Sequence, residues 1–410
     1  MEKQSFSKQI FHQGRRWLAK FWLEVNPQLR IIGITGSFGK TSTTVSIAKV
    51  LAQKFPTIKT DINLDTVYNL PITLLKIKPW TEALVLEMGV DHPGEMDLHL
   101  SLVKPQIGVI TGITPVHSDK EHLGSIEGII KEKSKLLKCL AKDGLAVLNY
   151  DDENVRKLAS LTKARVLFYG KTKDSDVWSN QVKVGKDGLS FDLHDQNKKI
   201  KVFTKLVGSH HVYTCMAAYL VGRYLGVSQE KYLKAMASLT PLSGRLSLEE
   251  GPLGTILVND VRRANPVSTI AGLQTLADLP GKRKIAILGE MGELGSFNEE
   301  GHRLVGKKIV QLEIDFLLVI GPSTKFIIDE AVKSGFNKEK TFWVKDVVEA
   351  ADVLRKIIKK GDLLYLKGSL LKHLERVILL LEGKQVNCYL VSCTLYQPCP
   401  TCPKLINNLK

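Results

Sequence analysis

A run of β-branched and aliphatic residues, IIGIT (31–35), ends in GSFG and passes at once into KTSTTVSIAKVL (40–51), which has helical spacing. A strand that turns through two glycines into a helix, with Lys40, Thr41 and Ser42 at the junction, restricts the fold more than any other segment. Such a turn suits a polyphosphate. Backbone N–H groups of the Gly36–Gly39 turn can wrap its oxygens, and the helix N-terminus adds the positive end of a dipole. Lys40 then reaches the terminal phosphates and the Thr41 hydroxyl holds Mg2+, with Gly36, Ser37, Gly39 and Ser42 completing the cradle. The segment predicts a nucleotide site on an α/β scaffold.

The rest of the chain repeats the rhythm. ALVLEM (83–88), IGVIT (107–111), LAVLN (145–149) and ARVLFY (164–169) read as buried parallel strands, with helical spacing in 94–103, 125–141 and 151–160. This βαβ alternation predicts a mostly parallel, doubly wound sheet with its ligand at the carboxyl ends of the strands. Residues 173–205 alternate polar and apolar around Gly185 and Gly188, as a small antiparallel excursion would. Helical segments follow near 209–226 and 228–238. The turn-rich TPLSGRLS (240–247) marks a boundary, after which TILVND, KIAILG, FLLVI and LLYLKG outline a smaller Rossmann-like α/β domain. The expected domains are a basic amphipathic helix (1–30), a central ATP-binding domain (31–243), a C-terminal domain (244–383) and a cysteine-rich tail (384–410).

Composition excludes some classes. At 44% hydrophobic and 24% charged, the 410 residues fit a globular protein rather than a disordered one. No apolar run reaches the ~18–20 residues of a membrane span, and the first residues lack the apolar core and cleavage site of a signal peptide. A cytoplasmic, monomeric protein is expected. The net charge of +16 suits anionic ligands, but its lysines are scattered and no base-stacking aromatic pattern accompanies them, so nucleic acid is not an expected partner. Near the start, Phe11, Trp17, Leu18, Phe21 and Trp22 can share one helical face beside Arg15, Arg16 and Lys20. Five large apolar residues suit packing on the protein's own first domain; weak association with a membrane surface is the alternative.

Carboxylate, imidazole and amine candidates sit at strand ends beside the phosphate turn. Glu87 closes ALVLE, where it can face Thr41 across a Mg2+. His117 follows the IGVIT strand, and Lys133 lies on the next helix in IIKEKSKLL. Together with TGSFGKTSTT, LEMGVDHPGEMD, VKPQIGVITGITPVH, GSIEGIIKEKSKLL and AVLNYDDE, and later LSGR, NDVRRANPVS, ILGEMGELG followed by His302, and LKGSLLKHLERV, the chain resembles the Mur ligases from Ile31 to Leu381. The resemblance implies an ATP-dependent, amide-forming ligase of peptidoglycan precursor synthesis. It would join D-alanyl-D-alanine to a UDP-N-acetylmuramoyl peptide through an acyl phosphate. It also implies that Lys40, Glu87, His117 and Lys133 serve catalysis. Thr41, Glu87, His117 and Lys133 would hold Mg2+, Lys133 as a carbamate, and Arg245, Asp260 and Asn265 would reach the nucleotide. Related readings are a ligase for another carboxylate, of folylpolyglutamate or cyanophycin type, and a catalytically silent nucleotide-binding scaffold.

Several positions depart from the family pattern. Residues 1–30 are too few for an N-terminal domain that holds a UDP group, so none is expected. The DxYNANP motif reads Asp260-Val261-Arg262-Arg263-Ala264-Asn265-Pro266, HNVYN reads His210-His211-Val212-Tyr213-Thr214, and KGSR ends in Leu370. Outside the resemblance lies CYLVSCTLYQPCPTC, whose Cys388, Cys393, Cys399 and Cys402 follow a C-x4-C-x5-C-x2-C pattern. Four thiolates so spaced can enclose one tetrahedral Zn2+. An iron–sulfur cluster, free thiols or disulfides are the other readings.

Overall fold

The computed structural model describes residues 6–61, 66–116, 118–386, 388, 392–393, 395, 399–402 and 405, with the backbone alone at 6–10 and 66. Two compact units are present. The first comprises Met1–Val182, Ser190–Thr204 and His210–Leu239; the second comprises Lys183–Leu189, Lys205–Ser209 and Thr240–Lys410.

In the first unit, helix α1 (Phe6–Glu24) precedes strand β1 (Arg30–Thr35), helix α2 (Lys40–Leu51), β2 (Thr57–Lys59) and α3 (Thr66–Leu74). Next come β3 (Ala83–Glu87), α4 (Glu95–Leu102), β4 (Ile107–Ile110), α5 (Ile126–Lys138), β5 (Leu145–Asn149), α6 (Glu153–Lys157) and β6 (Arg165–Gly170). Strands β7 (Val177–Gly185) and β8 (Gly188–Asp195), apart from their residues 183–185 and 188–189, with β9 (Lys198–Thr204) and helices α7 (His211–Tyr224) and α8 (Gln229–Ala237), complete it. The strands run β2-β3-β1-β4-β5-β6-β7-β8-β9 in one sheet. Pairing is parallel from β2 through β7.

Strand β1 sits between β3 and β4, with Ile34 opposite Glu87 and Ile32 opposite Ile107. The chain leaves β1 toward β2 and β3 and returns to β4 on its other side. The strand order therefore reverses at β1, and this is where an open α/β sheet leaves a crevice at its carboxyl edge. The phosphate turn lies there. Burial on both faces explains the uninterrupted apolar character of β1, β3 and β5.

Residues 173–205 form strands joined by tight turns, as their alternating pattern predicts, and these belong to the main sheet. Strand β7 pairs in parallel with β6 through Tyr169–Val177 and Gly170–Trp178, so the hairpins extend the main sheet. The connections at 186–187 and 196–197 are two-residue turns, and Gln196 takes the positive φ that such turns require.

The expected packing of α1 on its large apolar face is not what the structure contains. Phe11, Trp17, Leu18, Phe21 and Trp22 are 38–69% exposed. The helix is held instead by Ala19, fully buried, by Leu23 against the same core, and by His12, whose ring lies 4.6 Å from that of Tyr68. Arg16 adds a hydrogen bond from its guanidinium to the Leu98 carbonyl (2.8 Å). A small residue at the contact lets the backbone of α1 approach α3 and α4, which turns the bulky face outward.

The second unit contains β10 (Ser247–Glu250), β11 (Ile256–Asp260), α9 (Pro266–Asp278), β12 (Lys284–Gly289), α10 (Asn298–Gln311) and β13 (Phe316–Ile320). It continues with α11 (Lys325–Lys333), β14 (Thr341–Val344), α12 (Val347–Ile357), β15 (Leu363–Lys367) and α13 (Glu375–Leu381). The sheet order is β10-β11-β15-β12-β13-β14, with β10 antiparallel and the others parallel. Among the described residues no helix is long and apolar enough to cross a membrane.

Candidate active site

The phosphate turn is held open by its glycines. Gly36 has φ 150°, and a Cβ there would lie 2.1 Å from Thr111 Oγ1. Gly39 (φ 73°) is the N-cap of α2 and offers no side-chain cap, so the position a capping oxygen would take is open to an anion. The loop after β4 bolts the turn in place. Ser37 N–H donates to the Gly112 carbonyl (2.7 Å), the Ser37 hydroxyl donates to the Thr114 carbonyl (3.1 Å), and the Thr111 hydroxyl donates to the Phe38 carbonyl. Lys40 Nζ folds back onto the Gly36 carbonyl at 2.8 Å, within the turn itself. Thr41 and Ser42 occupy the first turn of α2.

Glu87 stands at the carboxyl end of β3, beside β1. Its backbone N–H donates to Thr60 Oγ1 (2.9 Å), and its half-buried carboxylate has no partner among the described residues. A hydroxyl at Thr41 and an unpaired carboxylate at Glu87 are hard oxygen donors, the set Mg2+ prefers. His117 lies outside the described residues.

Lys133 on α5 is 1% exposed. Burial first, then the positive charge of Lys40, pushes its ammonium down to about 7, against the pull of Asp91, Glu132 and Glu95. Lys133 and Lys40, distant in sequence, thus share one electrostatic neighbourhood. Three carboxylates bearing on it escaped the sequence reading. Glu95 Oε2 accepts from the backbone of Asp91 (2.7 Å) and His92 (3.2 Å), closing the VDHPGE turn over Gly94 at φ 88°. Glu132 is 3% exposed, bound to Met96 N–H and Lys135. Their signal was available as acidic residues in GVDHPGEMD and beside Lys133. Further along, Tyr213 donates to Asp151 (2.7 Å). His211, replacing a family asparagine, is buried, which pushes its imidazole down to about 4 and leaves it neutral.

In the second unit, Asp260 closes β11 and is buried. Lys367 Nζ donates to its Oδ2 at 2.6 Å and Tyr365 OH donates at 3.2 Å. Burial pushes the Asp260 carboxyl upward against the opposing pull of Lys367, Tyr365 and Arg245. Arg245 follows Gly244 (φ 72°), whose carbonyl accepts from Arg262 N–H, so LSGR and the arginine-bearing loop meet. The Asn265 side chain accepts from Ser268 N–H (2.9 Å) in a capping box that starts α9. This gives Asn265 a structural task that the sequence reading did not assign.

The four tail cysteines converge. Cys388, Cys393, Cys399 and Cys402 line one cavity of about 10 Å3 with His373, Arg376, Leu395 and Leu405. All are free thiols. Buried Arg376 donates to the Cys388 carbonyl (3.0 Å), His373 bonds the Leu395 carbonyl (2.9 Å), and Leu395 N–H donates to Cys393 Sγ (3.5 Å). They do not stand at tetrahedral spacing. Among the described residues, the one trio of ligand atoms within 4.8 Å of each other is His373, Glu375 and Cys399. Glu375 is already engaged there, accepting from Cys399 N–H and bonding His373.

The fold and the phosphate turn define a P-loop α/β nucleotide-binding protein with a second α/β unit. Residues 34–222 match the Mur ligase middle domain and residues 244–370 the Mur ligase, glutamate ligase domain. The chain belongs to the Mur ligase family, whose members are ATP-dependent ligases that form amide bonds. It is 32% identical to the UDP-N-acetylmuramoyl-tripeptide–D-alanyl-D-alanine ligase of Bacillus subtilis, over 88% of this chain and 77% of that protein. The Escherichia coli enzyme of the same name is 29% identical over 75% and 68%. Crystal structures of MurF from Acinetobacter baumannii (TM-score 0.83, 26% identity, 91% of this chain and 81% of that one) and of MurF from Thermotoga maritima with ADP (0.79, 25%, 91% and 84%) share the architecture. Mycobacterium tuberculosis folylpolyglutamate synthase, at 16% identity and TM-score 0.64 over 86% of this chain and 92% of that one, shares the fold alone.

Proposed function

We propose that this chain joins D-alanyl-D-alanine to a UDP-N-acetylmuramoyl tripeptide in the cytoplasm, as a monomer, using ATP. The observation that carries this reading is similarity to ligases of that name along both family domains, in a chain that has the phosphate turn, Glu87 and Lys133. The tripeptide carboxylate attacks the γ-phosphorus of ATP, ADP leaves, and an acyl phosphate forms. The dipeptide amine then adds to the acyl carbon, phosphate departs, and the ammonium proton is lost as the amide forms. Lys40 and the N–H groups of the 36–42 turn stabilise charge on the transferring phosphoryl group. Thr41 and Glu87 would hold one Mg2+, and His117 and carbamylated Lys133 a second; bound there, the ions would supply further neutralisation of the phosphate charge. A buried Lys133 amine whose ammonium is pushed down to about 7 is available as the neutral nucleophile that reaction with CO2 needs. Arg245, Asp260 and Asn265 serve the nucleotide from the C-terminal domain. Purified protein is to be assayed for phosphate release and product mass with the UDP-tripeptide, ATP and D-alanyl-D-alanine; turnover with glutamate in place of the dipeptide, and none with it, overturns the reading.

The tail (384–410) is proposed to hold one structural zinc through Cys388, Cys393, Cys399 and Cys402. Four thiols facing one atom-sized cavity support this, and metal binding requires the sulfurs to close in from their present spacing. Metal analysis is expected to find about one zinc per chain, as a closed four-cysteine site requires. Truncation after Gly383 should release it without loss of ligation. Metal-free protein with four reactive thiols refutes the site.

A further inference from the structure

We propose that the outward face of α1 binds an anionic lipid surface. On a helical wheel Phe11, Trp17, Leu18, Phe21 and Trp22 span an arc of about 140°. Val25, just beyond the helix end, continues that arc and is 51% exposed. The opposite side is already occupied: Ala19 and Leu23 pack in the core, His12 lies on Tyr68, and Arg16 bonds Leu98 and Ser101. The helix is therefore fastened to the protein by Ala19, Leu23 and its polar residues, and its bulky apolar side has no cover among the described residues. The Trp17 and Phe21 rings stack at 6.1 Å, 9° apart. Trp22 Nε1 is pinned to the Ile77 carbonyl (3.1 Å), and Trp80, three residues beyond Ile77, is 68% exposed.

Charge selects the occupant. Arg15 flanks the arc on one side, its guanidinium 4.5 Å from the centre of the Phe11 ring, and Lys20 lies beyond the other. Glu24, the helix's one acidic residue, falls between Lys20 and that end of the arc, and Arg15 with Lys20 still leaves the margins net basic. Pairing this face with itself in a symmetric dimer would bring basic edges together in a chain of net charge +16. An anionic bilayer instead receives the aromatic rings at headgroup level and the basic edges at its phosphates. The inference does not rest on the ligase reading, because none of these residues belongs to the phosphate or carboxylate sites.

The test is co-sedimentation of the full chain with vesicles of phosphatidylcholine alone and of phosphatidylcholine with phosphatidylglycerol. The mixed vesicles should bind the protein and shift tryptophan emission to the blue, and added salt should weaken binding. Arg15→Gln with Lys20→Gln should lower partitioning about 25-fold, the product of about fivefold for each basic residue near an anionic surface. Trp17→Glu with Phe21→Glu should abolish binding while circular dichroism and ATP turnover in solution stay unchanged. Equal binding to neutral and anionic vesicles, no binding to either, or undiminished binding of the Trp17→Glu/Phe21→Glu protein overturns the proposal. So does a dimer in light scattering that the same double variant dissociates, since a second copy then covers the face.

Discussion

Replacing Lys367 by Met should destabilise the second unit by leaving a carboxylate buried without its counter-charge. The two side chains are 3% and 8% exposed and meet at 2.6 Å. Removing one partner of so buried a pair costs about 3–5 kcal/mol, most of it the desolvation of the charge left behind. Tyr365 still donates to Asp260 Oδ2 and offsets part of this. The double variant Lys367→Met/Asp260→Asn leaves no buried charge and should lie within about 1–2 kcal/mol of wild type, a hydrogen-bond-sized loss. Proton linkage gives a second signature. Burial already raises the Asp260 carboxyl above its unfolded value, and loss of the Lys367 charge raises it further. Native Lys367→Met protein then binds a proton that the unfolded chain does not, so its deficit shrinks as pH falls from neutrality. Hydrogen exchange of the β11 and β15 amides in the full-length protein measures both effects. A deficit independent of pH, or a double variant as unstable as the two single variants added together, would refute the argument.

Lys40→Ala should abolish phosphoryl transfer while leaving the circular dichroism spectrum intact, a loss of about 10²–10³-fold or more for a preorganised charge-stabilising group; unchanged turnover removes Lys40 from the site. Glu87→Gln should raise the Mg2+ concentration needed for half-maximal rate, read from a Mg2+ titration, because a neutral amide oxygen is a weaker ligand for a hard cation. Gly36→Ala must place a methyl 2.1 Å from Thr111 Oγ1, so ATP affinity measured by calorimetry should fall sharply. With a folded-state Lys133 value of about 7, the neutral amine fraction grows as pH rises through 7. Ligation should therefore gain from added bicarbonate more at pH 8 than at pH 6, and Lys133→Met should show no such gain.

Local chemistry made much of the architecture readable in the sequence. Strands β1, β3, β4, β5, β12, β13 and β15 are apolar runs bounded by turns because parallel strands are buried on both faces. The phosphate turn was legible because its glycines, lysine and hydroxyls act within a few residues of one another. Short or polar strands were not legible: β14 (TFWV) and β10 (SLEE) carry too little pattern and exist by pairing with β13 and β11. Nor could local pattern show that β7 would join β6, a choice made by a neighbouring sheet edge.

Side-chain convergence depended on tertiary structure in the same way. That Lys133 feels Lys40, Asp91 and Glu95 follows from strand order around β1, and that Asp260 meets Lys367 follows from the adjacency of β11 and β15. In α1 the sequence determined that one side is apolar, since helical periodicity is a property of neighbouring residues. Which side faces the protein depends on the helices packed beside it. Close approach to α3 and α4 selected Ala19 for the contact, and a helix can bury only the face whose shape its neighbours accept.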